Sequence, residues 1–145
     1  MPIIPNMSTS QKDANYTDEK GGAEKLPSRH LTDSIIVSDI ESLLKEIKLE
    51  KAWDRDGHFA KTLVKYPAFR IVLIAMKKGK SIPNHKTDGE ISIQVLQGHI
   101  RLQVARRVVD VAMGNLVALE KNLPHDVEAI EESAFLLSIS ERRKE

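Results

Sequence analysis

The stretch PNHKTDGEISIQVLQGH, residues 83–99, combines a turn-rich start with an alternating run that ends at a glycine. Apolar and polar residues alternate from Ile91 to Val95, and this period of two is typical of a strand with one buried face. Asp88-Gly89 and Gly98 are turn signals on either side of the run. The stretch therefore predicts one strand of an antiparallel sheet, entered from a loop that carries His85.

The same kind of run recurs along the second half of the chain. Turn-forming residues such as Lys77-Lys78-Gly79 and Gly114-Asn115 separate the runs, and no helical pattern lies between them. Short strands joined by turns in this way indicate an all-β sandwich or barrel. The predicted strands are TLVK (62–65), FRIVLIAM (69–76), EISIQVLQ (90–97), IRLQV (100–104), VVDV (108–111), LVALE (116–120), DVEAI (126–130) and AFLLSIS (134–140).

One short N-terminal helix is predicted before the barrel. Ser38 and Glu41 have the spacing of a capping box, in which a hydroxyl at the cap is followed three residues later by a carboxylate. An apolar stripe of helical spacing follows, made by Ile40, Leu43, Leu44 and Ile47. These signals predict a helix over about 39–48, packed beside the barrel.

The first part of the chain has a different composition from the rest. Residues 1–32 are rich in small and polar residues, so they bury too little apolar surface to offset the entropy of ordering, and we expect a flexible tail. Residues 33–145 are long enough for one domain with a core. The start of the chain has no pattern of a secretory signal, and the 145 residues contain no cysteine, so a cytoplasmic location is expected.

The charge balance argues against two classes of partner. Lys and Arg number 22 against 21 acidic residues, which gives a formal net charge of +1. A field of one sign that would attract nucleic acid or an anionic membrane is therefore not expected. The chain also lacks any apolar run near the roughly 18 residues needed to span a bilayer.

Two spaced motifs give the chain a family resemblance. Five residues separate Gly79 from His85, and Gly98 closes the first motif. Gly114 opens the second motif, and His125 falls at its histidine position. In these registers the sequence resembles the cupin family of RmlC-like proteins. The resemblance implies a small double-stranded β-helix, or jelly-roll barrel, over about residues 60–140.

The departures from the cupin motifs bear on function. Thr87 stands at the second histidine position and Ile91 at the glutamate position, whereas metal-binding members hold their ion there together with the two retained histidines. A threonine hydroxyl is a poor ligand and isoleucine is none. In the second motif, Glu120, Asn122 and Ala129 replace proline, glycine and asparagine. Asn122 is the mildest change, because asparagine tolerates the left-handed conformation that glycine adopts.

These departures leave the metal question open. Two imidazoles fall short of the three protein ligands that catalytic sites usually have. Glu90 could complete a site with His85 and His125, but its one-residue offset points it to the opposite face of the strand unless a bulge turns it inward. The favoured interpretation is a barrel without a full metal site. The alternative is a bound divalent Fe, Mn, Ni or Zn ion.

The same residues outline a candidate ligand pocket. If Ile91 faces inward, the alternation places Ile93 and Val95 on the same apolar face. The polar residues His85, Thr87 and His125 would then lie near the open end of the cavity. A mostly apolar cavity with a few polar groups is typical of small-ligand sites, but a barrel filled by its own side chains has the same pattern. The predicted ligand-binding residues are His85, Thr87, Ile91, Ile93, Val95 and His125.

Three functions are therefore compatible with the sequence. The first is small-molecule binding or sensing, the second is a metal-dependent isomerase or dioxygenase, and the third is a structural barrel with a filled cavity. Whether the protein is an enzyme stays open.

The sequence also yields expectations outside the motifs. A homodimer is expected because a jelly roll has open sheet edges, which residues from about 34 to 65 could cover. Trp53 is expected to pack against the barrel or an interface. Arg70, Arg101 and Gln103 lie on predicted strands, and any of them that faced inward would bind an anionic ligand.

Overall fold

The computed structural model of the protein describes residues 30–85 and 87–141, and for Asn84 and His85 it describes only the backbone. Most of the predicted flexible tail, residues 1–29, lies outside the described residues. The described chain begins with two helices, α1 (Ile40–Lys48) and α2 (Lys51–Asp56). Its strands are β1 (His58–Tyr66), β2 (Phe69–Met76), β3 (Ser81–His85), β4 (Ile91–Gln97), β5 (His99–Val104), β6 (Arg107–Ala112), β7 (Leu116–Leu119), β8 (His125–Ala129) and β9 (Ser133–Ser140).

The strands form two antiparallel sheets. One has the order β1-β2-β9-β4-β7 and the other the order β3-β8-β5-β6. Sequence neighbours such as β3 and β4 lie in different sheets, and buried side chains from both sheets form one inner core. This arrangement is a jelly roll, and the all-β prediction is confirmed. Among the described residues, no helix is long and apolar enough to cross a membrane.

The β3 strand corrects the prediction that His85 lies in a loop. Ser81 to His85 pair with β8 at the edge of the four-stranded sheet. Pro83 obscured the strand in the sequence, although an edge strand tolerates a proline because it can turn its missing donor away from the neighbouring strand. The predicted strand at 62–65 was also too short, since β1 begins at His58.

The helices differ from the prediction in two details. The N-cap of α1 is Asp39 rather than Ser38: Asp39 accepts a hydrogen bond from the backbone N–H of Ser42 at 3.2 Å. Hydrogen bonds from Ser42 lower the pKa of Asp39. The α2 helix was missed because six residues are too few to show an apolar period. Its buried residue, Trp53, packs against the outer face of the barrel as expected.

The five-stranded sheet is covered on both faces. Its outer face carries Leu63 and Leu73, which are buried in one cluster with Ile47 of α1 and Trp53 of α2. Its inner face contributes to the core between the sheets. That core consists of Val72, Ile74, Met76, Ile82, Ile91, Ile93, Val95, Ile100, Leu102, Val104, Val111, Val127, Ala129, Phe135, Leu137 and Ile139.

The motif histidines lie at one end of the barrel. The β3–β4, β5–β6 and β7–β8 connections lie there, together with the turn from β1 to β2 and the end of β9. We call it the histidine end, because β3 ends there at His85 and β8 begins there at His125.

Candidate functional site

His125 is a buried imidazole on the inner face of the barrel. Burial alternates along β8, so His125, Val127 and Ala129 face inward while the residues between them are exposed. The side chains of Val127 and Ala129 belong to the inner core. His125 itself is only 7% exposed. The strand pattern thus brings one titratable ring to the edge of an apolar core.

A backbone carbonyl fixes the tautomer of His125. The Nδ1 atom lies 3.0 Å from the carbonyl oxygen of Leu123. A carbonyl oxygen can only accept, so Nδ1 carries the proton and donates it. In the neutral ring, Nε2 then holds the lone pair. This is the arrangement that a histidine adopts when Nε2 binds a metal or accepts a hydrogen bond from a ligand.

The surroundings of His125 favour its neutral form. Burial lowers the pKa of His125 below its ordinary value of 6.5, and the hydrogen bond to Leu123 and the charge of Asp126 offset this only in part. The lowered pKa therefore favours the uncharged ring at neutral pH, with its lone pair on Nε2.

The strand register places His85 beside His125. In the β3–β8 pair the two histidines are directly opposite, after an irregularity between Ile82 and His85. Directly opposed residues of antiparallel strands have Cα atoms about 4.5–5.5 Å apart. Val104 of β5 lies on the other side of His125 in the same register. The structure thus brings together at one barrel end the two histidines that the sequence motifs singled out.

Thr87 ties two loops together beside the histidines. Its hydroxyl donates to the carbonyl oxygen of Gly89 at 2.8 Å, and its own carbonyl accepts from the N–H of Asn122 at 2.8 Å. The side chain is half-buried. Asn122 has a φ of 62°, the left-handed conformation that the sequence motif predicts for this position. The hydroxyl proton of Thr87 is therefore used within its own turn.

The predicted apolar face is present in the structure. Ile91, Ile93 and Val95 are 5%, 1% and 1% exposed, and all three belong to the inner core. Ile91 opens β4 at the histidine end, where it pairs with Ile139 and Leu119. The alternation read from the sequence therefore gave the correct face of the strand.

Glu90 lies on the opposite side of the strand from Ile91. Its side chain is exposed, and Oε1 accepts a hydrogen bond from the hydroxyl of Ser140 at 3.3 Å. The backbone N–H of Glu90 donates to the same hydroxyl at 3.1 Å. The irregularity between β4 and β9 lies at Val95 and Gln97, far from Glu90. This exposed position does not favour Glu90 as a metal ligand. Its role as a ligand stays a prediction.

The sequence of the barrel matches a known family. A sequence model described as the cupin domain matches residues 72–140, from within β2 to the end of β9. The chain carries a cupin domain. The match includes both His85 and His125, whereas α1, α2 and β1 precede it. A comparison with curated proteins finds no relative of the chain.

Solved structures share the fold of this cupin domain. A conserved protein of unknown function from Streptococcus pyogenes has 19% sequence identity and a TM-score of 0.61, covering 83% of this chain and 100% of its own. KdgF from Halomonas has 20% identity and a TM-score of 0.55, covering 60% of this chain and 82% of its own. A Cupin 2 conserved barrel domain protein from Leptotrichia buccalis has 29% identity and a TM-score of 0.56, covering 58% of this chain and 41% of its own.

The described donors do not make a complete metal site in the cupin domain. Of the motif positions with a described side chain, His125 has a suitable donor atom, Thr87 has only a neutral hydroxyl, which is a poor ligand, and Ile91 has none. Among the described residues, no group of three or more His, Asp or Glu side chains is placed to hold a metal ion. The side chain of His85 lies outside this set.

The three polar residues that could have faced inward take different positions. Arg101 and Gln103 are exposed on the outer face of the four-stranded sheet, where Arg101 pairs with Asp110. Arg70 shares the alternation of Val72 and the other inward residues of β2. It therefore enters the inner face at the histidine end, where its Nη2 lies 2.8 Å from Oε2 of Glu141. The sequence named Arg70 only as one of several candidates, since the register that orients it depends on pairing with β9.

Proposed function

We propose that the cupin domain binds or senses a small molecule at the histidine end, between the two sheets, without a full metal site. The observation that carries this proposal is the state of His125: a buried neutral ring with its tautomer fixed by Leu123, at the edge of an apolar core. A mostly apolar cavity with a few oriented polar groups is typical of small-ligand sites.

The location of the polar groups supports binding over a filled structural barrel. The middle of the barrel is occupied by apolar side chains such as Ile93, Ile100 and Leu102. Near the histidine end, by contrast, the described polar side chains include His125, Thr87 and Arg70. Burying an imidazole has a desolvation cost that an apolar side chain would avoid, so a purely structural barrel gains little from a histidine here. The predicted ligand contacts are His85, Thr87, Ile91, Ile93, Val95 and His125.

A metal-dependent cupin enzyme is the second candidate. The observation that favours it is the register that opposes His85 to His125, combined with a tautomer that places the lone pair of the neutral His125 ring on Nε2. An isomerase or dioxygenase of this kind would use Fe, Mn, Ni or Zn, which would supply Lewis acidity or activate oxygen. The exposed position of Glu90 leaves this candidate without a third protein ligand among the described side chains.

The proposal extends to assembly and location. We expect a homodimer, because β1 and β7 border one sheet and β3 and β6 border the other, and such edges are usually paired or covered. We expect a cytoplasmic protein, because the chain has no cysteine to stabilise it in an oxidising compartment.

The binding proposal is tested by NMR on protein with labelled Ile and Val methyl groups. A library of small fragments is added to native protein, and shift changes are mapped. We expect changes at Ile91 and Ile139 on the inner face, and none at Ile40 and Ile47 of α1, which pack on the outer face and serve as internal controls. Shifts confined to the outer cluster, or no shifts with any fragment, would argue against a pocket at the histidine end.

A further inference from the structure

Arg70 is a charged residue that the strand register carries onto the inner face at the histidine end. On β2 it alternates with the buried residues Val72 and Ile74, and it is paired with Ile139 of β9. Ile139 is paired in turn with Ile91, the first residue of β4. Arg70, Ile139 and Ile91 thus form one row across three neighbouring strands. Neighbouring strands are about 4.8 Å apart, so the Arg70 backbone lies about 10 Å from that of Ile91.

The guanidinium of Arg70 is only partly paired. Its Nη2 forms an ion pair with Oε2 of Glu141 at 2.8 Å, and the side chain is 23% exposed. Its Nε atom is shut off from solvent and has no hydrogen-bond partner among the residues that the structure describes. A buried donor without an acceptor is costly, so native proteins seldom leave one unless it serves a purpose.

Two other arginines of this chain use both Nε and Nη2, the two donors on one edge of the guanidinium, to bind a carboxylate. Arg55 holds Asp56 with Nε at 2.9 Å and Nη2 at 3.0 Å. Arg101 holds Asp110 with Nε at 2.8 Å and Nη2 at 3.4 Å. In both pairs a carboxylate takes the two donors together, which is the geometry that makes arginine selective for planar anions. In the Arg70–Glu141 pair, only Nη2 of these two donors contacts the carboxylate.

We propose that Arg70 recognises the carboxylate of the small molecule that the cupin domain binds, through its Nε and Nη2 atoms. The ligand carboxylate would replace Glu141, which is 37% exposed and can turn toward solvent. The rest of the ligand would lie along the apolar row of Ile139 and Ile91. The ligand class is therefore a small carboxylic acid with an apolar body. This inference rests on the proposed binding function and adds the chemical class of its ligand.

The test compares acids with their neutral amides of the same shape. Hexanoate and hexanamide, and benzoate and benzamide, are titrated into the full-length protein at constant ionic strength, and the Ile91 and Ile139 methyl shifts give the dissociation constants. A hydrogen-bonded charge pair of this kind is expected to favour each acid over its amide by about tenfold or more. The variants are R70Q, R70K, E141Q and the matched control R101Q, which removes an arginine from an ion pair on the outer face of the other sheet.

The outcomes separate this inference from the function on which it rests. We expect the acid preference to disappear in R70Q, to weaken in R70K because lysine lacks the planar fork, to grow several-fold in E141Q, and to persist in R101Q. Equal binding of acids and amides, or a preference that survives in R70Q, would overturn the role of Arg70 and leave the binding function standing. No shift at Ile91 or Ile139 with any of the four compounds would count against both.

Discussion

The ring of His125 is anchored by the carbonyl oxygen of Leu123, two residues earlier in the chain, at an Nδ1–O distance of 3.0 Å. The orientation of the ring is therefore set by the loop that leads into its own strand. Leu123 packs against the inner core, so the position of the loop is held in turn by the barrel. The result is a single, preoriented tautomer at the histidine end.

The first prediction concerns pH. Burial holds the pKa of His125 below 6.5 in the folded protein, so the unfolded chain binds the proton more readily. The contribution to stability is complete above the unfolded pKa and is lost as the pH falls from about 6.5 through the lower, folded pKa. Urea unfolding between pH 7.5 and pH 5 should show this loss in the wild type and a smaller one in H125Q. An identical dependence in both proteins would refute the assignment.

The second prediction concerns two residues with positive φ. Asn122 has a φ of 62° and Ala105 a φ of 55°. N122A should lower the free energy of unfolding by about 1 kcal/mol, because alanine tolerates this conformation less well than asparagine. A105G should raise it by up to about 1 kcal/mol, since glycine relieves the strain. The measurement is urea denaturation, with the exposed neighbour variant K121A as the control. Opposite signs for the two variants are the expected pattern, and equal signs would contradict it.

The third prediction separates backbone conformation from close packing at a motif glycine. Gly98 and Gly79 have φ values of 81° and 86°. A Cβ atom on Gly98 would collide with the backbone oxygen of Glu132 and with Ser133, whereas a Cβ atom on Gly79 would have open space around it. G79A should therefore cost about 1 kcal/mol, and G98A about 1–3 kcal/mol more. Thermal or urea unfolding of the two variants compares them directly. Equal costs would show that the turn at Gly98 can move aside.

The fourth prediction concerns a variant that restores the missing metal ligands. Thr87 and Ile91 stand at the positions where metal-binding cupins supply histidine and glutamate, and Ile91 faces inward. The double variant T87H/I91E should bind nickel or zinc with an affinity at least tenfold higher than that of the wild type, because a site gains strength with a third and fourth protein ligand. Calorimetric titration measures the affinity, and circular dichroism verifies that the variant is folded.

The control for this variant is T87H/I93E, which places the same carboxylate one step deeper on the same face. It should bind the metal no better than T87H alone. A folded T87H/I91E protein with the metal affinity of the wild type would show that side chains at the motif positions do not lie close enough to share one metal ion.

The sequence predicted the parts of the structure that depend on local pattern. The alternation from Ile91 to Val95 identified the inner face correctly, because a period of two is imposed by the strand itself. The same rule placed Glu90 on the opposite face, where its side chain bonds Ser140. The spacing of the motifs aligned His85 and His125, and the register opposes them.

Other features depend on pairing between distant segments and could not be read from the sequence. The β3 strand contains a proline and is formed by pairing with β8. The orientation of Arg70 follows from its register with Ile139, some seventy residues later. The α2 helix is too short for a periodic signal and is held in place by the burial of Trp53. In each case tertiary contacts decide what local propensity leaves open.

The measurement that tests the central claim most directly is a crystal structure of the native protein, with diffraction recorded on both sides of the absorption edges of iron, nickel and zinc. The account predicts a small organic molecule in contact with His125 and Ile91, and no anomalous peak beside them. A fully occupied metal ion held at His125 by three or more protein atoms would contradict it.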